Sequence, residues 1–224
     1  MDLEAFGSLQ TAAGAALLVE AAGLSGLDEL AASRRLRARH PAALVAAALT
    51  QVELRSKARE KFGADAARMF FTPDGLEQAT HRHVATHRAR RLAAAGVADV
   101  VDLGCGIGGD AIALARACGA VRGLDRDPVA VAVARANLAA LGLAGRVDVG
   151  EISLPTPAGV VFADPARRGP RGRVFDPASY SPPWPVVEAL LAGDAVVKLA
   201  PGLPHDLIPT AVEAEWVSLA GKLR

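Results

Sequence analysis

The spacing of apolar positions along the chain changes near residue 97. Upstream of it, apolar residues recur at helical intervals and stop at glycine or proline, which predicts a series of helices. These helices cover residues 8–22, 27–39, 41–62, 64–70 and 73–95. The last of them begins with Thr72, whose hydroxyl can cap the helix, and Pro73 at its first position.

Downstream of residue 97, short apolar runs alternate with helical stretches. The short runs predict strands over residues 97–103, 120–124, 146–149, 159–163 and 195–199. Helices are predicted between several of them, over residues 109–118, 128–141 and 184–192. This alternation favours a mostly parallel sheet covered on both faces. The predicted fold class is therefore α/β, with an N-terminal helical domain over 1–73 and a sheet domain over 74–224.

Two segments depart from this regular alternation. Only residues 151–158, with two prolines, separate the third and fourth strands, which is too short for a crossover helix and predicts an extended crossing. Residues 214–219 predict a sixth strand.

The composition excludes several classes of protein. Hydrophobic residues make up 51% and charged residues 22%, so the chain can bury a core. Two cysteines cannot form a disulfide scaffold. No apolar run reaches the roughly 18 residues of a membrane span, and the first 33 residues carry no basic residue for a secretory signal. We therefore expect a cytoplasmic protein with no membrane partner.

The near-neutral net charge of +1 hides a basic middle segment. Residues 34–91 carry 13 Lys and Arg against five Asp and Glu, a balance of +8. Such a segment can form a surface for nucleic acid, with Arg88, Arg90 and Arg91 as its expected contacts, or a set of ordinary solvated helix faces.

A glycine-rich turn follows the first predicted strand. Residues 100–110 read VVDLGCGIGGD, and glycine lets the backbone turn tightly and approach a ligand at a helix N-terminus. Gly104, Gly106 and Gly109 satisfy the dinucleotide pattern, so an NAD site is one alternative. However, Asp102 stands where a dinucleotide-binding strand usually keeps an apolar residue. An acid there can hold the ammonium of a methionine moiety, which favours S-adenosylmethionine.

The next two strand ends also carry acids. Asp125 follows Gly106 by 19 residues, the distance expected for a carboxylate that accepts both ribose hydroxyls. The fourth strand ends in Asp164 and Pro165. Because the carboxyl ends of parallel strands meet at one edge of the sheet, these acids are expected around one cleft.

Three motifs, VVDLGCGIGG, GLDRDP and VFADPARR, in this order and spacing resemble those of class I S-adenosylmethionine-dependent methyltransferases. The FFTP segment at residues 70–73 is similar to one that nucleic-acid methyltransferases carry before the glycine loop. Within that class, residues 41–220 resemble bacterial methyltransferases with a C-terminal THUMP-like domain. These resemble the trimethylguanosine-synthase-type RNA guanine-N2 methyltransferases.

This resemblance implies a Rossmann-like sheet, S-adenosyl-L-methionine as cofactor and RNA (tRNA or rRNA) as partner. It implies a cofactor site formed by Phe71, Thr72, Pro73, Asp102, Gly104, Gly106, Gly108, Asp125, Arg126 and Glu151. It also implies a last strand and a further domain after residue 224, so we expect the sheet to be truncated here. We expect a monomer.

The acceptor end departs from the pattern typical of amine methyltransferases, which place an aromatic residue after the Asp-Pro pair. Here Ala166 and Arg167 follow instead. Asp164 is the expected acceptor of a substrate N–H, with Pro165 stiffening the turn and Arg167 stacking on a base or binding a phosphate. The alternative for Asp164 is a capped turn without chemistry.

Further substrate contacts are expected from Arg168, Trp184 and Lys198. Trp184 ends an SPPW motif similar to that of trimethylguanosine synthases, although this motif can also simply open a helix. Lys198 follows the fifth strand and borders the expected cleft.

Cysteine chemistry and a metal site are not expected. Methylation at pyrimidine C5 requires a thiolate, and neither Cys105 nor Cys118 follows the strands where such nucleophiles lie. His83 and His87 are four residues apart on a predicted helix, but they belong to a basic face. Three functions stay open beside RNA methylation: methylation of a small molecule or protein, a noncatalytic RNA-binding module, and an NAD-dependent oxidoreductase.

Overall fold

The computed structural model describes residues 3–152, 159–165, 168–169, 172–173 and 181–223. The N-terminal part is all-helical, as predicted. It comprises α1 (Leu3–Leu9), α2 (Ala12–Ala22), α3 (Glu29–Arg37) and α4 (Ala42–Phe62), followed by a 3-10 turn (Gly63–Ala67). The single helix predicted over residues 8–22 is divided, because the Thr11 hydroxyl accepts a hydrogen bond from the Gly14 N–H and so begins α2.

The long helix predicted over residues 73–95 is also divided, into α5 (Pro73–Gln78) and α6 (Arg82–Ala94). The Lys61 ammonium donates to the carbonyl oxygens of Leu76, Glu77 and Ala79 at 2.6–2.9 Å, which satisfies the C-terminal end of α5. The chain then restarts at His81, which caps α6. The prediction missed this break because Lys61 is distant in sequence.

The five predicted strands form one parallel sheet, which confirms the predicted fold class. They are β1 (Asp99–Leu103), β2 (Ala120–Asp125), β3 (Gly145–Val149), β4 (Val160–Ala163) and β7 (Ala195–Val197), in the order β3-β2-β1-β4-β7. Helices α7 (Gly109–Cys118), α8 (Pro128–Leu141) and α9 (Trp184–Leu191) connect or flank them. A small hairpin, β5 (Arg168–Gly169) with β6 (Gly172–Arg173), lies outside this sheet.

Alternate residues of the central strands pack on opposite faces of the sheet. Val100 and Phe162 belong to the core shared with α6, α7 and α8. Val101 and Val161 pack instead with Leu190 of α9. This alternation matters for the site, because Asp102 lies on the same face as Val100 and so points toward the α6–α7 layer.

The N-terminal helices share a continuous apolar core with the sheet. Phe6, Leu54 and Phe62 belong to the same buried cluster as Val100 and Ile112. A second cluster joins α2, α3 and α4 around Leu17, Leu36 and Val45. The division into domains at residue 73 stays a prediction, and the extended crossing predicted over residues 151–158 falls mostly outside the described residues.

The sixth strand predicted over residues 214–219 is wrong. Only β8 (Ser218–Leu219) is a strand there, and it pairs antiparallel with β9 (Lys222–Leu223) in a separate hairpin. Ala220 and Gly221 between them both have positive φ, as a tight two-residue hairpin turn requires. Before the hairpin, Glu213 and Glu215 bind Arg91 on α6, so this segment lies along α6 and does not extend the sheet.

Candidate active site

The carboxyl ends of all five strands of the sheet open on one cavity of about 540 Å³. It lies across the point between β1 and β4 where the strand order reverses, which is where open α/β sheets bind ligands. Its wall comes from α5 and the α5–α6 loop, the glycine turn, and the residues after β2, β3, β4 and β7. Predicted site residues on this wall are Asp102, Gly104, Gly106, Asp125, Arg126, Glu151, Asp164, Pro165 and Lys198.

The glycine turn has the conformation that the sequence motif requires. Gly104, Gly106 and Gly108 have φ of 77°, 53° and 87°, a region that residues with a side chain rarely adopt. A Cβ on Gly106 would meet no protein atom within 4 Å, so the space beside it belongs to the cavity. Gly108 does not line the cavity; it precedes α7 as its N-cap and faces Ala134.

Asp125 at the end of β2 organises this turn. Its Oδ2 accepts a hydrogen bond from the Gly106 N–H at 2.8 Å, and its Oδ1 accepts one from the Asp127 N–H at 2.9 Å. Gly106 and Asp125, which are 19 residues apart in the sequence, are therefore in direct contact across the ends of β1 and β2. Each carboxylate oxygen keeps a further lone pair, which is the capacity that a ribose diol requires.

Asp102 is a buried acid with an unsatisfied oxygen. The residue is 1% exposed, and among the described residues its Oδ2 has no hydrogen-bond partner. Burial, followed by the nearby Asp110 carboxylate, raises the pKa of Asp102 well above its usual range, while Arg88 opposes this shift. An ammonium group in the cavity would supply both the missing hydrogen bond and the missing positive charge. The residues present thus fit the amino-acid end of S-adenosylmethionine.

An ion pair that the sequence did not reveal lies close to Asp102. Arg88 on α6 pairs with Asp110 in the first turn of α7, and its guanidinium carbon lies 4.3 Å from the centre of the Phe162 ring on β4. Arg88 was predicted on an RNA-binding surface, and this is wrong, because its side chain is only 12% exposed and already paired. The only sequence signal was an acid directly after the glycine turn.

The acceptor end of the cavity contains a second ion pair. Asp164 follows β4, Lys198 follows β7, and the Lys198 ammonium pairs with Asp164 Oδ2. The same ammonium donates to Thr80 Oγ1 at 3.0 Å, in the loop between α5 and α6. Burial raises the pKa of Asp164, and the Lys198 charge and hydrogen bond oppose that rise. The sequence indicated Asp164 and Lys198 but not their pairing, nor Thr80.

The FFTP segment supports the cavity from behind. Phe71 is fully buried against Phe62, and its backbone N–H and C=O both bind the Gln51 side-chain amide. Thr72 and Pro73 begin α5, with the Thr72 hydroxyl accepting from the Gly75 N–H at 3.0 Å. None of Phe71, Thr72 and Pro73 lines the cavity. Gly75 and residues 77–80 do line it, and the contact with cofactor predicted for Phe71, Thr72 and Pro73 stays a prediction.

The substrate residues predicted beyond Asp164 are less well placed. Trp184 begins α9, packs with Val187 and Leu203, and is absent from the cavity wall, although Ser181, Pro182 and Pro183 before it line the wall. Arg167 lies outside the described residues, and for Arg168 the structure describes only the backbone in β5. Their substrate roles stay predictions.

The surroundings of both cysteines favour the protonated thiol. Burial raises the pKa of the Cys105 thiol, as does the negative charge of Asp102 and Asp125, and burial also raises the pKa of Cys118. A raised pKa lowers the thiolate fraction and thus the nucleophilicity.

Within the described ranges, no three His, Cys, Asp or Glu side chains are grouped as a metal site requires. No single described helix is long and apolar enough to cross a membrane, although α1 and α2, bent by 80°, pass that test together on length and composition.

Comparisons with known proteins bear on both halves of the chain. Residues 100–160, which contain the glycine turn and Asp125, match the model of a methyltransferase domain. Over 181 residues the chain is 40% identical to an uncharacterized S-adenosylmethionine-dependent methyltransferase of Mycobacterium tuberculosis (strain CDC 1551 / Oshkosh). This match covers 76% of the chain and 50% of that protein. Residues 100–160 therefore belong to a methyltransferase domain.

Other matches concern the length of the related proteins, the N-terminal helices and the fold. The protein of strain H37Rv matches with the same identity and coverage, so the chain spans about half the length of the curated relatives it matches. Residues 2–58 match a domain of unknown function (DUF8688). A solved structure named as a methyltransferase from Porphyromonas gingivalis W83 has the same fold, with a TM-score of 0.57 and 24% identity, over 71% of this chain and 41% of that one. The curated relatives are named as S-adenosylmethionine-dependent, and the cavity lined by Asp102 and Asp125 is the candidate site for such a cofactor.

Proposed function

We propose that the protein transfers a methyl group from S-adenosylmethionine to an exocyclic nitrogen of an RNA base. The observation that carries the proposal is that Asp164 lines the same cavity as Asp102 and the glycine turn. A carboxylate with a lone pair to spare on the wall of this cavity supports the proposal.

The chain's own residues would align the two reactants. When bound, the cofactor supplies an electrophilic methyl group on a positively charged sulfur. The cavity wall carries Asp102, Asp110, Asp125 and Asp164, and this excess of acids is complementary to a cationic ligand. Methyl transfer needs little covalent help, so holding the nucleophile in line with the methyl carbon and excluding water supply most of the rate.

Asp164 would orient the acceptor. Its Oδ2 is engaged by Lys198, and the described residues offer no hydrogen bond to Oδ1. An acceptor N–H donated to Oδ1 would turn the nitrogen lone pair toward the methyl group. The ionised form of Asp164 is the stronger acceptor, and because burial raises its pKa, methyl transfer should increase with pH across a range above that of an ordinary carboxyl group.

The RNA part of the proposal rests on the basic segment 34–91 and on the resemblance of the motifs. Arg90 on α6 is exposed, and no ion pair to it is found among the described residues. A small-molecule or protein acceptor is the second candidate. It is favoured by the engagement of Arg88 with Asp110 and of Arg91 with Glu213 and Glu215, since paired arginines are less available to phosphates.

The proposal is tested with Asp164→Ala and Asp164→Asn, using S-adenosylhomocysteine titration and single-turnover methylation of total bacterial RNA. Both variants should bind S-adenosylhomocysteine almost as the unmodified protein does, because β1 and β2 hold the cofactor. Asp164→Ala should lower the methylation rate by roughly 10²-fold or more, since it removes a preorganised contact at the reacting centre. Asp164→Asn should be milder, because its amide oxygen still accepts.

Melting temperatures provide the control for folding. Asp164→Ala leaves the partly buried Lys198 unpaired and should destabilise the protein, so rates are compared per folded molecule. Full turnover by folded Asp164→Ala would remove this residue from the mechanism. If the protein methylates small molecules or proteins but not RNA, the second candidate function is supported instead.

A further inference from the structure

Two neighbouring strand ends bring opposite charges together at the acceptor end of the cavity. Ala163 of β4 pairs in register with Val197 of β7, and the Lys198 N–H donates to the Ala163 carbonyl at 2.9 Å. The next residues along the two strands, Asp164 and Lys198, therefore lie side by side. Their ion pair joins the Lys198 ammonium to Oδ2 of the carboxylate.

A third residue holds the lysine from the opposite wall. Thr80 is 7% exposed, and its Oγ1 accepts a hydrogen bond from the Lys198 ammonium at 3.0 Å. The lysine side chain itself is 16% exposed. Contacts on two sides restrict its rotamers, so the entropy of ordering a long side chain is lost on folding and not when substrate binds.

We propose that Lys198 is a positioning residue, which holds the Asp164 carboxylate by Oδ2 so that Oδ1 faces the acceptor, and that Thr80 holds Lys198 in turn. This inference rests on the proposed function, in which Asp164 contacts the acceptor. It gives Lys198 a different role from the direct substrate contact that its sequence position indicated.

The charges around Asp164 show why such a residue is needed. Burial and the Asp110 carboxylate on α7 raise the Asp164 pKa, and Lys198 and Arg88 on α6 lower it. The negative charge of Asp164 also raises the pKa of Asp102 on β1. Without Lys198, the Asp164 carboxyl group would keep its proton to a higher pH, and the neutral group is a weaker acceptor for the substrate N–H than the carboxylate.

The test uses Lys198→Met in the full chain and two measurements. The first is a carbon-13 NMR titration of the aspartate carboxyl groups, in which the Asp164 signal is assigned by its loss in Asp164→Asn. Removing an opposite charge in contact should move the Asp164 midpoint upward by about 1–3 pH units. The second is the pH profile of single-turnover methylation, whose acidic limb should move upward by the same amount.

Matched variants separate positioning from a structural role. Lys198→Arg keeps the charge and should leave the Asp164 midpoint near that of the unmodified protein. Thr80→Val should raise the midpoint by less than Lys198→Met does. Lys57→Met removes an exposed lysine that pairs with Glu53 and should change neither measurement. An Asp164 midpoint that does not move in Lys198→Met, or in Lys198→Gln should the methionine variant not fold, overturns the proposal.

The two measurements also separate this inference from the proposed function. A shifted Asp164 titration in a protein that methylates no RNA would support the pairing and contradict RNA methylation. RNA methylation whose acidic limb is the same in Lys198→Met would contradict the positioning role and leave RNA methylation intact.

Discussion

At the scale of single residues, the site is organised by buried acids whose charge is only partly balanced. Asp110 and Asp164 each have a cationic partner, Arg88 and Lys198, whereas Asp102 Oδ2 has no hydrogen-bond partner in the described part of the chain. An unsatisfied buried carboxyl group is costly for folding, and such groups are common where a ligand completes the arrangement. Binding of the cofactor should therefore change the protonation of Asp102.

Asp102→Asn should have opposite effects on stability and on binding. The raised pKa of Asp102 favours its protonated form in the folded state, so its contribution to stability is complete below pH about 4 and is lost as pH rises through the folded-state pKa. Asparagine does not ionise, so the variant should melt at a higher temperature than the unmodified protein at pH 7–8, with the difference shrinking toward pH 4. S-adenosylhomocysteine affinity should fall roughly tenfold or more, because a charged hydrogen bond is lost.

Proton release gives a direct check of this assignment. An ammonium beside Asp102 favours the ionised carboxylate, so binding of S-adenosylhomocysteine should release a proton, and affinity should rise with pH until Asp102 ionises in the free protein. Calorimetry in buffers of different ionisation enthalpy measures the release. Equal release by Asp102→Asn and by the unmodified protein would assign the proton to another group.

At the scale of elements, the N-terminal helices shape one wall of the cavity. Lys61 on α4 binds three carbonyl oxygens at the end of α5, and the residues from Glu77 to Thr80 that follow line the cavity. Gly75 allows α5 to approach the glycine turn closely, since a Cβ there would lie 2.4 Å from the Ile107 side chain. The helical segment is thus part of the site's construction and not only an addition to the sheet.

Lys61→Met should loosen this wall. It removes charged hydrogen bonds to three carbonyls, so the free energy of unfolding should fall by about 1–3 kcal/mol, and S-adenosylhomocysteine should bind severalfold more weakly. Lys57→Met, on the same helix but exposed, should cost only a few tenths of a kcal/mol. Chemical denaturation and calorimetry measure both quantities. If the cofactor affinity of Lys61→Met is unchanged, the Lys61 hydrogen bonds do not shape the cavity.

At the scale of the whole molecule, tertiary contacts redistribute the basic segment seen in the sequence. Arg88 is paired at the site, and His87 and Arg91 bind the acidic segment at Glu213 and Glu215. The basic surface available on α6 is therefore smaller than the sequence charge of residues 34–91 indicates, and it includes Arg90.

RNA binding should depend on salt and on Arg90. Each phosphate contact adds about 0.7–0.9 to the slope of log K against log salt. Arg90→Glu should weaken RNA binding and reduce this slope by about that amount, whereas Arg146→Glu, the same exchange on exposed β3, should leave the slope unchanged. Fluorescence anisotropy over a salt series measures it. A slope near zero in the unmodified protein would favour the small-molecule acceptor.

The sequence by itself determined the positions of the five strands, the glycine turn and the acids around the cleft. These features depend on local chemistry: Gly104 and Gly106 are required by backbone angles, and Asp102 and Asp125 follow from where a parallel strand ends. Only the tertiary structure decided the break between α5 and α6, the burial of Phe71, and the contacts of Arg88 and of Lys198 with Thr80. Each of these joins side chains that are distant in sequence, and such contacts depend on how helices pack on the sheet, which local patterns do not specify.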